Sequence, residues 1–311
     1  MKKIWSSIKP YIRWLILGGT LFFIAKAFKD HWRDVAGIRI DPQGWTMLAI
    51  AVLVTLLAHI WSGWVWTWIL KAFKQPIGQR QALQVYLKTN VAKYLPGNVW
   101  HFYGRISAVM GAGGSVGAAS ISVLLEPLLM AASALAIALI SGGLGWVNMA
   151  FDSRIWGLKF VGLAVVLLGV HPRVLNPIVQ RLSRFKKIQD TQEFPIKHYP
   201  LLPLLGEIGF LGFRGTGFLF TLLAVGSITP SQIPSLLSAF SFAWLLGLVI
   251  PGAPGGLGVF EATAIALLNQ QLPTSLILTG VALFRLVSIL AEISAAGLAI
   301  LSERMEKTSK R

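Results

Sequence analysis

No cysteine occurs in these 311 residues, so disulfides, thiolate metal sites and redox pairs are excluded. Charge is also scarce. Charged residues make up 13% of the chain, against roughly 25% in a soluble domain, and no stretch reads as a soluble domain. The longest polar interval, residues 172–200, is too short and too basic to hold a core. The five histidines, His31, His59, His101, His171 and His198, never fall at the spacing of a motif such as H-E-x-x-H, so no metal site is expected. Gly111-Ala112-Gly113-Gly114-Ser115 lacks the lysine of a phosphate loop, and nothing else resembles an ATP site. No histidine or acid is placed to activate a serine or threonine. The expectation is a protein without enzymatic activity or cofactor.

What the chain has instead is apolar length. Hydrophobic residues reach 55%, and several runs approach the roughly 20 residues that cross about 30 Å of hydrocarbon. The pattern predicts an all-α polytopic membrane protein with six full crossings: Tyr11 to Phe28, Trp45 to Leu70, Ala119 to Ile140, Arg154 to Val170, Leu201 to Gly226 and Leu276 to Leu301. Met1-Lys2-Lys3 with Ala25-Lys26-Ala27 mimics a cleaved leader, but Trp5, Pro10, Arg13 and Trp14 interrupt its apolar region, so it is read as the first crossing. A single transmembrane domain, residues 1–301 in halves of about 1–150 and 151–301, would be followed by a short cytoplasmic tail, 302–311.

The formal net charge of +16 does not require a nucleic-acid partner. Lysine and arginine concentrate at the N-terminus (Lys2, Lys3, Lys9, Arg13), in the loop with Lys71, Lys74 and Arg80, and in residues 172–200, whereas 141–153, 227–235 and 269–275 hold only Asp152. By the positive-inside rule both termini are then cytoplasmic, in the inner (plasma) membrane. Trp61, Trp64, Trp66 and Trp68 read as an interfacial aromatic belt at the cytoplasmic end of the second crossing.

Two segments, Leu83 to Met110 and Leu236 to Asn269, read as re-entrant hairpins of broken helix. In the second, Pro251, Pro254 and glycines at 252, 255, 256 and 258 interrupt an apolar run. Unwound backbone at membrane depth is tolerated only where protein buries it or a wet cavity receives it. In the first, Pro96-Gly97 is bracketed by Lys93 and Arg105. Pro96-Gly97 and Pro254-Gly255 stand about 158 residues apart, and the same offset relates neighbouring crossings, the pattern of an inverted-topology repeat.

Ionisable groups inside crossings cost on the order of 2.5–3.5 kcal/mol each, so those present need a reason. Lys93, Arg105 and Arg285 are candidates for contact with a lipid phosphate, with Pro96, Gly97, Pro254, Gly255 and Gly256 shaping the broken backbone and the last two offering N–H groups. Glu126, Glu207, Arg214, Glu261 and Glu292 are candidates for balancing charge. Glu207 and Arg214, like Arg285 and Glu292, are seven residues apart on one helix face, and pairing between the two helices is expected.

At Lys93-Tyr94-Leu95-Pro96-Gly97-Asn98-Val99-Trp100 with Gly104-Arg105, at Pro254-Gly255-Gly256-Leu257-Gly258 with Glu261, and at Phe284-Arg285, the chain resembles the lysylphosphatidylglycerol synthase transmembrane-region family. The resemblance covers about residues 45–301 and implies flippase-like lipid translocation. Multidomain relatives add a soluble aminoacyltransferase domain, and this sequence instead continues into the short tail 302–311, so synthase activity is not expected. Two readings follow. One is a flippase-like protein moving an anionic or glycosylated lipid. The other is a non-transporting accessory subunit of a membrane glycosyltransferase or lipid-modifying enzyme. The expected partners are membrane lipids with anionic headgroups, and a membrane enzyme or a second copy of the chain.

Overall fold

A computed structural model of the chain describes residues 39–94, 99–143, 153–174, 176–177, 198–250, 256 and 258–309, and all regular structure among them is helical. In chain order the α-helices among these residues are α1 (Pro42–Ala72), α2 (Gln79–Asn90), α3 (Trp100–Gly111), α4 (Val116–Gly143), α5 (Ser153–Gly169), α6 (Leu201–Leu223), α7 (Ile233–Val249), α8 (Val259–Leu268) and α9 (Thr274–Ser309). Short 3-10 turns occupy Val91–Tyr94 after α2 and Pro230–Gln232 before α7.

Four helical stretches among the described residues are long and apolar enough to cross a membrane: Pro42–Ala72, Val116–Ser141, Pro230–Val249 and Thr274–Thr308. At 1.5 Å per residue, the 31 residues of α1 and the 36 of α9 span about 46 and 54 Å, more than the hydrocarbon requires. The expected crossings Trp45 to Leu70, Ala119 to Ile140 and Leu276 to Leu301 lie within these stretches. Leu201 to Gly226 coincides with the 23-residue α6, which carries Glu207 and Arg214 and is not among the four. Arg154 to Val170 coincides with α5, whose apolar part is the short Phe160–Gly169. Pro230–Val249, expected as one arm of a hairpin, has the length of a crossing. Tyr11 to Phe28 lies outside the described residues, as do Pro96, Gly97, Pro254 and Gly255.

Periodicity decides which faces are inward. Along α1 the buried positions Ala51, Thr55, Ala58, Ser62, Val65, Trp66 and Ile69 recur every three or four residues and are mostly small, whereas Leu53, Leu57 and Trp64 are exposed. Large apolar groups outward and small ones inward suit a helix between lipid and close helical neighbours. The tryptophans are not a uniform belt. Trp66 is fully buried and Trp61 donates to the Gly206 carbonyl at 2.7 Å, leaving Trp64 as the exposed member. At 100° per residue, Trp66 points away from the other three.

Helix ends are built by backbone chemistry. Past α1, Lys74 adopts φ 51°, Gln75 N–H donates to Leu70 O at 3.0 Å and Lys74 N–H to Lys71 O at 3.0 Å, a Schellman stop. Gly113 (φ 83°) ends α3 the same way, with Gly114 N–H donating to Val109 O at 2.9 Å. The glycine cluster is thus a helix stop, and the Gln75 side chain joins the two stops by accepting from Ser115 N–H at 2.9 Å.

The chain divides into two compact units. Unit 1 comprises Met1–Val54, Ile137–Ala150 and Arg214–Ser288, and unit 2 comprises Thr55–Ala136, Phe151–Phe213 and Ile289–Arg311. In unit 2, Trp66, Leu70, Tyr86, Leu87, Val109, Val123 and Ala295 form one core cluster, and Ile69, Phe73, Leu125, Leu129 and Val170 another. Close approach of α6 to α1 rests on Gly206, where an added Cβ would sit 2.6 Å from Val65 Cγ2 and 2.9 Å from Trp68. The segment after residue 301 continues α9 to Ser309, and Glu303 meets Lys88 at 2.7 Å while Glu306 pairs with Arg80.

Unit 1 is organised by four aromatic rings, Phe218, Phe240, Phe260 and Phe284, each with centroids 5.3–6.4 Å from the other three. Edge-to-face packing of this kind adds about 0.5–1.5 kcal/mol per pair beyond area burial. Gly256 (φ 70°) lies against Gly247, where a Cβ on either would come within 3.1 Å of the other's Cα, so its backbone packs directly on α7.

Candidate functional site

Buried charge gathers into separate centres in the two units. In unit 2, Arg105 of α3 is 2% exposed; its Nη1 donates to Glu126 Oε2 of α4 at 2.7 Å, and its guanidinium stacks 3.7 Å from the Tyr86 ring centroid. The other Glu126 oxygen accepts from the Tyr86 hydroxyl at 2.5 Å, and that hydroxyl also bonds Ser62 at 2.6 Å. Tyr86, on α2, therefore covers the arginine with its ring and the glutamate with its hydroxyl. Pro127, inside α4, removes a backbone donor next to Glu126.

A second centre of unit 2 is built on Glu292 of α9. Its Oε1 accepts from Lys93 Nζ at 2.6 Å and lies 3.3 Å from His59 Nε2, while His59 Nδ1 is 3.4 Å from Asn90 Nδ2. The carboxylate is 1% exposed and the lysine side chain 23%, so this pair can be reached from one side. Glu207 of α6 completes the set. It is fully buried, neither carboxylate oxygen has a hydrogen bond among the described residues, and Glu126 and Arg105 are the charges acting on it.

Unit 1 holds the third cation. Arg285 Nε donates to Glu261 Oε1 at 2.8 Å and Nη2 to Gly256 O at 3.1 Å, with the guanidinium 5.5 Å from the Phe260 ring. Glu261 also caps its own helix: Gly258 N–H, at the head of α8, donates to Oε2 at 2.5 Å. Arg214 donates to Ser288 Oγ at 3.1 Å and lies 4.8 Å over the Phe284 ring.

The pairing differs from the expected Glu–Arg exchange between α6 and α9. Seven residues along a helix is about 10.5 Å, so residues sharing a face that way stand too far apart to share a partner. Each group instead finds a neighbour at its own level: Glu292 takes Lys93 and His59, Arg285 takes Glu261, Arg214 takes Ser288, and Glu207 takes no arginine bond. Gly256 presents its carbonyl to Arg285, where an N–H facing a phosphate was expected.

Of the expected cations, Lys93 and Arg105 belong to unit 2 and Arg285 to unit 1. Each is held by a carboxylate; Glu126 also accepts from Tyr86 and Glu261 from the Gly258 amide, while Glu292 has His59 Nε2 at 3.3 Å. Sequence reasoning missed Tyr86, Ser62, Asn90 and His59. His59 had a signal, a titratable ring inside an apolar run; the other three had none.

A comparison with curated proteins finds no match. Residues 11–295, by contrast, match the family described as the Lysylphosphatidylglycerol synthase TM region. With long apolar helices carrying these buried charges and a match across most of its length, the chain is a lipid-related, multi-pass membrane protein belonging to the lysylphosphatidylglycerol synthase TM region family.

Proposed function

We propose that this protein is a flippase-like transporter that moves an anionic or glycosylated lipid across the inner membrane, without a catalytic step. The observation that carries the reading is the set of three cations, Lys93, Arg105 and Arg285, each held at 2.6–2.8 Å by a buried or nearly buried carboxylate that has a second polar neighbour. A buried ion pair opened without replacement costs about 3–5 kcal/mol. A phosphate that takes over the cation, while the carboxylate keeps its other polar neighbour, avoids most of that penalty. When Arg285 turns to a headgroup, Glu261 retains the Gly258 amide; when Lys93 does so, His59 Nε2 remains 3.3 Å from Glu292.

Exposure ranks the three. The Lys93 and Arg285 side chains are 23% and 27% exposed and can meet a headgroup directly, whereas that of Arg105, at 3%, positions Glu126 and Tyr86. Cytoplasmic termini, hairpins entering from opposite faces and an inverted repeat belong to this reading. It is supported by the helix pair α2–α3 in unit 2 and the pair α7–α8 in unit 1, each with a Pro-Gly sequence in the chain between its two helices.

The test is reconstitution of the purified protein into vesicles carrying fluorescent phosphatidylglycerol, lysylphosphatidylglycerol or a glycosylated lipid in one leaflet. Faster exchange of one of these than in protein-free vesicles supports the reading. Folded protein that accelerates none of them would leave the accessory-subunit reading in its place.

A further inference from the structure

Charge in the Arg105 centre does not balance. Arg105 bonds one carboxylate, Glu126, and its charge also acts on a second, Glu207, in a region where Arg105, Glu126 and Glu207 are 2%, 3% and 0% exposed. Glu126 is satisfied, with one oxygen on Arg105 and the other on Tyr86. Glu207 has neither a donor nor a cation of its own among the described residues. The titratable groups acting in this cluster are Glu126 from α4, Arg105 from α3 and Tyr86 from α2. An isolated ionised carboxylate in such surroundings costs several kcal/mol even after relaxation. The position is nevertheless fixed. Next to Glu207, Gly206 packs against Val65 and Trp68, and the Leu204 carbonyl accepts from Ser133 at 3.1 Å.

We propose that Glu207 is the site of one exchangeable monovalent cation, a proton or an alkali ion, which completes the Arg105–Glu126–Glu207 cluster. Resting on the transport reading, the same cation is the coupling ion that supplies energy for lipid movement. The cluster then holds two positive and two negative charges when loaded. Released, it carries one net negative charge that Arg105 must share between two carboxylates, loosening its hold on Glu126. Loading of Glu207 is thereby linked to the strength of the Arg105–Glu126 pair.

Binding and coupling are tested apart. In detergent, thermal unfolding of the wild type is followed along a pH series at fixed sodium and a sodium series at fixed pH, alongside Glu207→Gln and Glu207→Leu. The expected result is a melting temperature that moves with one of the two ions in the wild type and loses that dependence in both variants. The dependent series tells proton from alkali ion. Two variants guard against one that does not fold. Equal ion dependence in wild type and both variants would overturn the site. In vesicles, a gradient of the identified ion should accelerate labelled-lipid exchange at least several-fold in the wild type and leave Glu207→Gln unchanged. Lipid exchange indifferent to either gradient would overturn the coupling while leaving the binding result standing. No exchange of any lipid would remove the transport reading on which the coupling rests.

Discussion

At the scale of single residues, burial ranks the energies of otherwise similar ion pairs. The Arg105 and Glu126 side chains are 3% and 4% exposed, and those of Arg285 and Glu261 are 27% and 10%. Arg105→Ala should therefore cost about 3–5 kcal/mol, since Glu126 is left buried with only the Tyr86 hydroxyl among the described residues, and Arg285→Ala clearly less, since Glu261 is more exposed and keeps the Gly258 amide. Thermal unfolding in detergent checks the order, and an equal or larger loss for Arg285→Ala would mean that burial does not set it. Arg285→Lys keeps the charge but cannot bond Glu261 and the Gly256 carbonyl through a planar fork. It should lower lipid transport at least tenfold while changing the melting temperature little; unimpaired transport would make Arg285 a structural strut. The cations were legible because lysine and arginine stand out in apolar sequence. Their partners were not. Which carboxylate meets which cation depends on the height of each helix beside its neighbours, and Glu292 finds Lys93 across 199 residues.

Helices were legible where composition alone decides, as in α1, α4 and α9, whose apolar runs exceed a bilayer. They were less so where charge interrupts the run, as Glu207 and Arg214 do in α6. The glycines of α6 could not be ranked from sequence. Gly206 faces Val65 and Trp68, whereas a Cβ on Gly212 would meet nothing within 4 Å. Gly206→Leu should overpack the α1–α6 contact, costing about 1–3 kcal/mol, while Gly212→Ala should be neutral or slightly stabilising. Unfolding of the two variants side by side tests the packing, and a Gly206→Leu protein as stable as the wild type would contradict it. Helix stops followed the same rule: a stop at Gly113 is written in its glycines, but one at Lys74 is not, since lysine rarely takes φ 51°.

For the molecule as a whole, side of membrane is the property to measure, and the lack of cysteine makes the measurement clean. Single cysteines at Lys186 and Ser302 should be protected from an impermeant thiol reagent in intact cells, and one at Ser227 should react. External labelling at Lys186 would reverse the orientation. The spacing of partners along the chain has a consequence for manufacture. Arg105 meets Glu126 only 21 residues on, and Ser115 meets Gln75 across 40, so the α2–α3 centre can close as soon as α4 has been made. The Lys93–Glu292 bond forms much later, because Glu292 arrives 199 residues on. At about 5–20 residues per second, the ribosome takes on the order of ten to forty seconds to supply it. Throughout that interval the glutamate that Lys93 meets in the folded chain is still unmade. The Lys93–Glu292 centre of unit 2 therefore cannot be completed before α9 has been made, whereas the Arg105–Glu126 centre can.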